Sequence, residues 1–225
     1  MKKKTTTIVS VIIVIAIIVI IVACSTPRDR KYDEAAVKAA AIELLTAAED
    51  LNEIYYGKGI AFLEESKHNI SIYCEADPAA LDGYGIKTVE ELRQKTMAVF
   101  STAQCNSMFK SAFSGSFSQG TSNMSRYYQK YDDKNKNPVC IMVHSSYEPL
   151  MNGENIYNLD TLKVTGSKGE FVYITVDVTV IYGDKTQTNT LSIRLIEESN
   201  GWRISSTSFS NYNELNDIYN ELQKG

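Results

Sequence analysis
The sequence predicts an α+β domain, with helices gathered in the first half and an antiparallel sheet in the second. Three observations carry this. Residues 33–55 and 88–113 place apolar side chains at spacings of three and four, the period of an amphipathic helix. Residues 170–182, EFVYITVDVTVIY, alternate strictly: Val172, Ile174, Val176, Val178 and Val180 point one way, Phe171, Tyr173, Thr175, Asp177 and Thr179 the other. The later strand candidates are joined by short connections containing glycine, at hairpin spacing. Helices first and strands last means segregated layers, helices packed on one face of the sheet.

The first helix opens at Asp33, whose carboxylate suits an N-cap, and carries the stripe Val37, Ala41, Leu44, Leu45, Ala48, Leu51, Tyr55. Gly57 and Gly59 fit its C-terminal end, and another helical turn is expected within Gly59–Lys67. Asn69–Glu75 alternates weakly, as a short strand or an extended connection. Asp77–Gly85, DPAALDGYG, has the proline and glycines of a turn. Thr88 and Glu91, three apart, form a capping box for a helix expected to break near Asn106 and Ser107 and to resume until Gly115. Ser114–Ser125 is rich in serine and glycine and reads as a loop.

Arg126–Asn137, RYYQKYDDKNKN, is the most polar and aromatic stretch and reads as a loop before a strand at 138–147. Residues 148–158 form a further loop. Strands then follow at 159–165, 170–182, 188–197 and 202–209, the last hairpin marked by Asn200-Gly201. Tyr212, Leu215, Ile218, Tyr219 and Leu222 outline a short C-terminal helix. The valine face of 170–182 is expected to bury against the stripe of the first helix.

The chain begins with Lys2, Lys3 and Lys4, then an apolar run from Ile8 to Ala23, then Cys24. A basic start, an apolar run and small residues before a cut site make a secretory signal. Sixteen residues, all apolar but Ser10, at ~1.5 Å each reach about 24 Å, short of the ~30 Å core that a transmembrane anchor must cross. Ile21-Val22-Ala23-Cys24 resembles the lipobox of bacterial lipoproteins, with isoleucine where leucine is usual. The resemblance implies cleavage before Cys24, lipidation of its sulfur, and attachment to the outer side of the cell membrane. Residues 1–23 are then a signal peptide, 24–30 a short tether, and 31–225 one α+β domain.

Removing 1–23 leaves 202 residues, ample for one core, and takes the formal charge from −4 to −7 as three lysines leave. An acidic domain with no Lys/Arg stripe argues against nucleic acid as a partner. Cys74, Cys105 and Cys140 remain, an odd number; they are either buried small hydrophobes or one internal bridge with a thiol left over. No CxxC, HExxH, nucleophile elbow or phosphate loop occurs. No metal, cofactor or catalytic residue is therefore expected. Asp132 and Asp133, among lysines, lack the alternating oxygen ligands of a calcium loop.

Long helix, helical pair and a sheet ending in Gly201-Trp-Arg-Ile-Ser205 resemble the cystatin-like cone of the nuclear-transport-factor-2-like superfamily, together with Leu159–Val164 and the Phe171 strand. Arg126-Tyr-Tyr128 and Tyr157-Asn-Leu-Asp160 are similar to segments of secreted inhibitors of cell-wall DL-endopeptidases. The first resemblance implies a curved sheet with a concave face, the second a wall-hydrolase partner. Candidate binding residues are Arg126, Tyr127, Tyr128 and Tyr131, because tyrosine and arginine are enriched in recognition patches, and Tyr173 and Asp177 on the mixed face of 170–182. Asp177 at mid-strand is unusual for a carboxylate; a solvated outer face, with Arg194 paired to it across the strands, explains it better than a pocket. An enzyme of this superfamily would bring Asp177 and His144 into one cavity; His144 otherwise reads as structural and His68 as a surface residue. The function expected is a non-enzymatic, membrane-anchored lipoprotein that binds a protein or small ligand outside the cell, with a hydrolase inhibitor or a cone-pocket enzyme as alternatives.

Overall fold
The computed structural model describes residues 31–67, 72–114, 125–147, 154–206 and 221. Residues 1–30 with Cys24, read from the sequence as a signal segment and tether, His68, most of the stretch read as a serine-rich loop and most of the stretch read as a C-terminal helix lie outside the described residues. Among those described, four α-helices and two antiparallel sheets form an α+β arrangement, and no helix is long and apolar enough to cross a membrane.

Helix α1 is Glu34–Tyr55; the Asp33 carboxylate accepts from Ala35 and Ala36 N–H at its start. Its buried residues are the expected stripe together with Ile54. The chain leaves through Gly59, whose φ of +84° is left-handed, past a single 3₁₀ turn at Glu64–Ser66, into strand β1, Tyr73–Glu75. The Asp77–Gly85 turn is instead mostly a short helix, α2, Pro78–Gly83. Asp77 caps it and Pro78 occupies its first turn, where the missing N–H is not needed.

Helix α3, Val89–Val99, carries both halves of the capping box: Glu91 N–H donates to Thr88 Oγ1 and Thr88 N–H to Glu91 Oε2, each at 3.2 Å. Helix α4 is Thr102–Phe113. The break therefore falls at Phe100–Ser101 rather than at Asn106–Ser107. Ser101 caps α4, and Phe100 is extended because it bridges to Ile204, whose carbonyl accepts from Ser101 N–H at 2.9 Å. A buried hydroxyl pair joins α1 to α3: Tyr55 Oη lies 3.0 Å from Thr96 Oγ1, which donates to Leu92 O.

The expected single sheet is two. Strands β2, Tyr127–Tyr131, and β3, Pro138–His144, form a hairpin, and β1 adds to it in the order β1-β3-β2. The polar segment read as a loop is thus half strand. Its turn is built by Asp132, which accepts from Lys134 and Asn135 N–H, and by Lys136 at φ +58°. Strands β4 (Glu154–Lys168), β5 (Phe171–Tyr182), β6 (Lys185–Glu198) and β7 (Gly201–Ile204) form a meander in chain order. Strand β4 starts earlier than expected, inside the stretch read as a loop, and its register shifts between Asn158 and Lys163. Gly169 and Gly183 each stand first in a two-residue hairpin loop with positive φ, the place a type II′ turn reserves for glycine. In the third hairpin Gly201 pairs with Glu198, so Ser199-Asn200 is the loop and Asn-Gly is offset by one.

Val172, Ile174, Val176, Val178 and Val180 are wholly buried, each side chain contributing roughly 1.5–3 kcal/mol relative to exposure. They share one continuous core with the α1 stripe, with Leu191, Ile193 and Leu195 of β6, and with Tyr127, Ile141 and Val143 of the small sheet. The strands nearest α1 are β4 and β7.

Candidate functional site
The six candidate residues divide between the two sheets. Four lie on or beside β2, and the fold buries two of them and leaves two exposed. Tyr127 is wholly buried. Its hydroxyl donates to Ile54 O at 2.7 Å and accepts from Ile60 N–H at 3.1 Å, and burial pushes its pKa up to about 12. Arg126 is also buried, 2% exposed. Its Nη2 donates to Gly57 O at 2.6 Å, and its guanidinium carbon lies 4.3 Å from the Tyr147 ring centroid and 5.3 Å from that of Tyr127. Neither side chain is presented to a partner in this structure. Both hold the end of α1 against the small sheet, a role invisible while the segment reads as a loop. Tyr128 and Tyr131 remain exposed, at 38% and 55%.

Tyr128 belongs to an outward face to which β1 and β3 also contribute. Tyr73 meets Tyr128 edge-on, with ring centroids 4.8 Å apart, and meets His144 in the same way at 5.2 Å. The Tyr73 hydroxyl donates to Ser125 O at 2.7 Å, which fixes the ring. Lys130 Nζ reaches over β3 to Glu75 Oε1 at 2.9 Å, and the hydrogen bond to that carboxylate raises the lysine pKa. Both partners are nearly half exposed, so the pair adds little stability. Beneath it Cys140 Sγ lies 3.6 Å from Met142 Sδ. Burial raises the Cys140 pKa, which keeps it a thiol rather than a thiolate. Burial also lowers the His144 pKa, and its Nδ1 accepts from Ser146 N–H at 3.2 Å. The face is thus aromatic and sulfur-bearing, with one compensated ion pair. Tyr73 and Glu75 were not singled out from the sequence; the period-two spacing in Asn69–Glu75 is the signal that places them together.

Tyr173 and Asp177 lie on the outward face of β5. Asp177 Oδ1 accepts from Thr190 Oγ1 at 2.5 Å, and its N–H donates to Thr161 Oγ1 at 2.8 Å. Asn158 donates to Thr179, which pairs with Thr188 at 2.9 Å. This is a solvated ladder of hydroxyls. The expected Asp177–Arg194 pair does not form, because the register sets Arg194 opposite Tyr173 and Thr190 opposite Asp177. Arg194 lies over the Phe171 ring at 4.4 Å and donates to Ser205 O. His144 stands on β3 of the small sheet and Asp177 on β5 of the meander.

Cys74, Cys105 and Cys140 are free thiols. Among the described residues no three His, Cys, Asp or Glu side chains converge to hold a metal ion. No protein-family model matches the chain, and no curated protein matches it.

Proposed function
We propose that the protein is a lipid-anchored, extracytoplasmic lipoprotein, attached through Cys24, whose domain binds another protein without catalysis. The contact surface is the outward face of β1, β3 and β2, centred on Tyr128 and bordered by Tyr73, with Tyr131 exposed at the end of β2. The observation that carries this reading is the exposure of Tyr128 beside the fixed ring of Tyr73, with Tyr131 exposed at the end of the same strand. Rigid aromatic side chains give large contact area at low entropic cost, and aromatic residues are enriched in interface cores. The short tether keeps this face close to the membrane. We read the meander with α1 as the cystatin-like, nuclear-transport-factor-2-like arrangement that the sequence resembles; the separate similarity of Arg126-Tyr-Tyr128 and Tyr157-Asn-Leu-Asp160 to inhibitors of cell-wall DL-endopeptidases offers a cell-wall hydrolase as the partner.

Two measurements test this. Mass spectrometry of the native amino terminus should find a diacylated Cys24; an intact Met1 or an unlipidated Cys24 removes the anchor and with it the location. Crosslinked membranes should yield an envelope protein with the wild-type chain and lose it with Tyr128→Ala/Tyr131→Ala, while the melting temperature stays within about 2 °C, as exposed positions allow. Undiminished capture by that variant removes the proposed face.

A further inference from the structure
We propose that the tip of the β2–β3 hairpin is a second membrane contact, which lays Tyr131 and Val139 in the bilayer–water interface and sets Lys134 and Lys136 on the lipid phosphates. Val139 and Tyr131, 56% and 55% exposed, are the two most exposed large apolar side chains among the described residues. They are neighbours. The register sets Lys130 opposite Cys140 and Tyr131 opposite Pro138, so Val139 is the extra residue of a bulge beside Tyr131. Around them Asp133, Lys134, Asn135, Lys136, Asn137 and Pro138 are all exposed. Among the described residues neither Lys134 nor Lys136 enters an ion pair, whereas Lys130 is held by Glu75. The Asp132 carboxylate faces the turn's own backbone, where it accepts from Lys134 and Asn135 N–H.

The chemistry of the tip selects a lipid surface over a protein. A stable protein interface takes roughly 800 Å² from each partner and is depleted in lysine. Two apolar side chains ringed by lysine, asparagine and aspartate do not supply that. Tyrosine and lysine together suit the bilayer interface: the phenol sits at headgroup level, and the lysine stem lies on apolar surface while its ammonium stays in the phosphate layer. Backbone polar groups lose water partners as they approach a bilayer and must be satisfied within the protein. The tip meets this condition. Asp132 N–H donates to Asn137 O, Lys136 N–H to Asp132 O and Asn137 N–H to Asn135 Oδ1, at 2.9–3.0 Å. The inference rests on the location proposed above for the presence of a bilayer, and adds an orientation beside it. A single anchor lets a domain pivot, because seven tether residues reach about 25 Å fully extended. The hairpin stops that pivot and holds Tyr128, three residues before Tyr131, next to the lipid.

The test uses the full chain, reconstituted through its own amino-terminal segment into vesicles of equal parts phosphatidylcholine and phosphatidylglycerol, with and without bromine in the upper part of one acyl chain. Trp202 is the single tryptophan and packs against the core, so the wild type supplies the blank. Tyr131→Trp and Val139→Trp should each lose at least half of their added emission to the brominated lipid. Ile156→Trp, at an exposed position on β4, should lose less than a tenth. Lys134→Glu/Lys136→Glu, added to Val139→Trp, should cut the quenching at least twofold. Quenching at positions 131 and 139 no greater than at 156 overturns the proposal. So does quenching that charge reversal leaves unchanged. Emission that shifts to the blue at position 139 without quenching also overturns it, and assigns a second copy of the chain as the occupant. Reconstitution succeeds with the apolar segment retained or with an acyl chain in its place, so no outcome depends on lipidation of Cys24. Tyr128 is unaltered throughout, so none depends on the protein-binding face.

Discussion
Gly59 and Gly85 both have left-handed φ, +84° and +63°, yet their surroundings differ. A Cβ at Gly85 meets nothing within 4 Å, whereas one at Gly59 meets Arg126 and Tyr127. Gly85→Ala should therefore cost only the backbone term, about 1–2 kcal/mol. Gly59→Ala adds overpacking and should cost about 2–5 kcal/mol in urea unfolding. Equal losses would mean that Arg126 and Tyr127 can move aside. His144 contributes a pH dependence. Its folded pKa lies below the unfolded value of 6.5, so as pH falls the unfolded chain takes up the proton first. Its contribution is complete above about pH 6.5 and is lost as pH falls through that value toward the folded pKa. Unfolding midpoints measured between pH 7.5 and 5 should decline in the wild type and decline less in His144→Gln. Tyr127→Phe removes a hydroxyl that both donates to Ile54 O and accepts from Ile60 N–H. It should cost about 1–3 kcal/mol, because two buried backbone groups lose their partner.

Helix starts were legible because the capping side chain and the group it satisfies lie within three residues. Asp33 and the Thr88–Glu91 box are in place as read. Thr88→Ala should cost about 1 kcal/mol, measured by chemical denaturation; no loss would show that Glu91 alone, which also accepts from Lys87 N–H, secures the turn. Helix ends and breaks were less legible. Phe100 leaves the helix because Ile204, 104 positions on, claims it through a bridge and a hydrogen bond to the next residue. Nothing local in Thr96–Ser107 announces that. Strand β2 was missed for a related reason. Tyr-Tyr-Gln-Lys-Tyr carries no apolar alternation, and its pairing with β3 and the burial of Tyr127 under α1 come from distant chain. The candidate face inherits this pattern: β2's tyrosines were visible in the sequence, but which of them point outward was not.

One core runs through both sheets and the helices, so the described residues should unfold as a unit. Leu51→Ala in α1 and Ile141→Ala in β3, both wholly buried, should each cost about 2–5 kcal/mol. Each should shift the far-ultraviolet and tyrosine-fluorescence transitions together. A small sheet that melted separately in Ile141→Ala would contradict the shared core. The α+β class, the buried face of β5 and the meander of β4–β7 follow from the chain's own order and periodicity, because amphipathic spacing and hairpin turns are local physics. The division into two sheets, the burial of Arg126 and Tyr127, and the placement of His144 and Asp177 on different sheets were settled only by folding. Each depends on which distant strand supplies the next row of hydrogen bonds, and a one-residue change of register there turns a side chain from solvent to core.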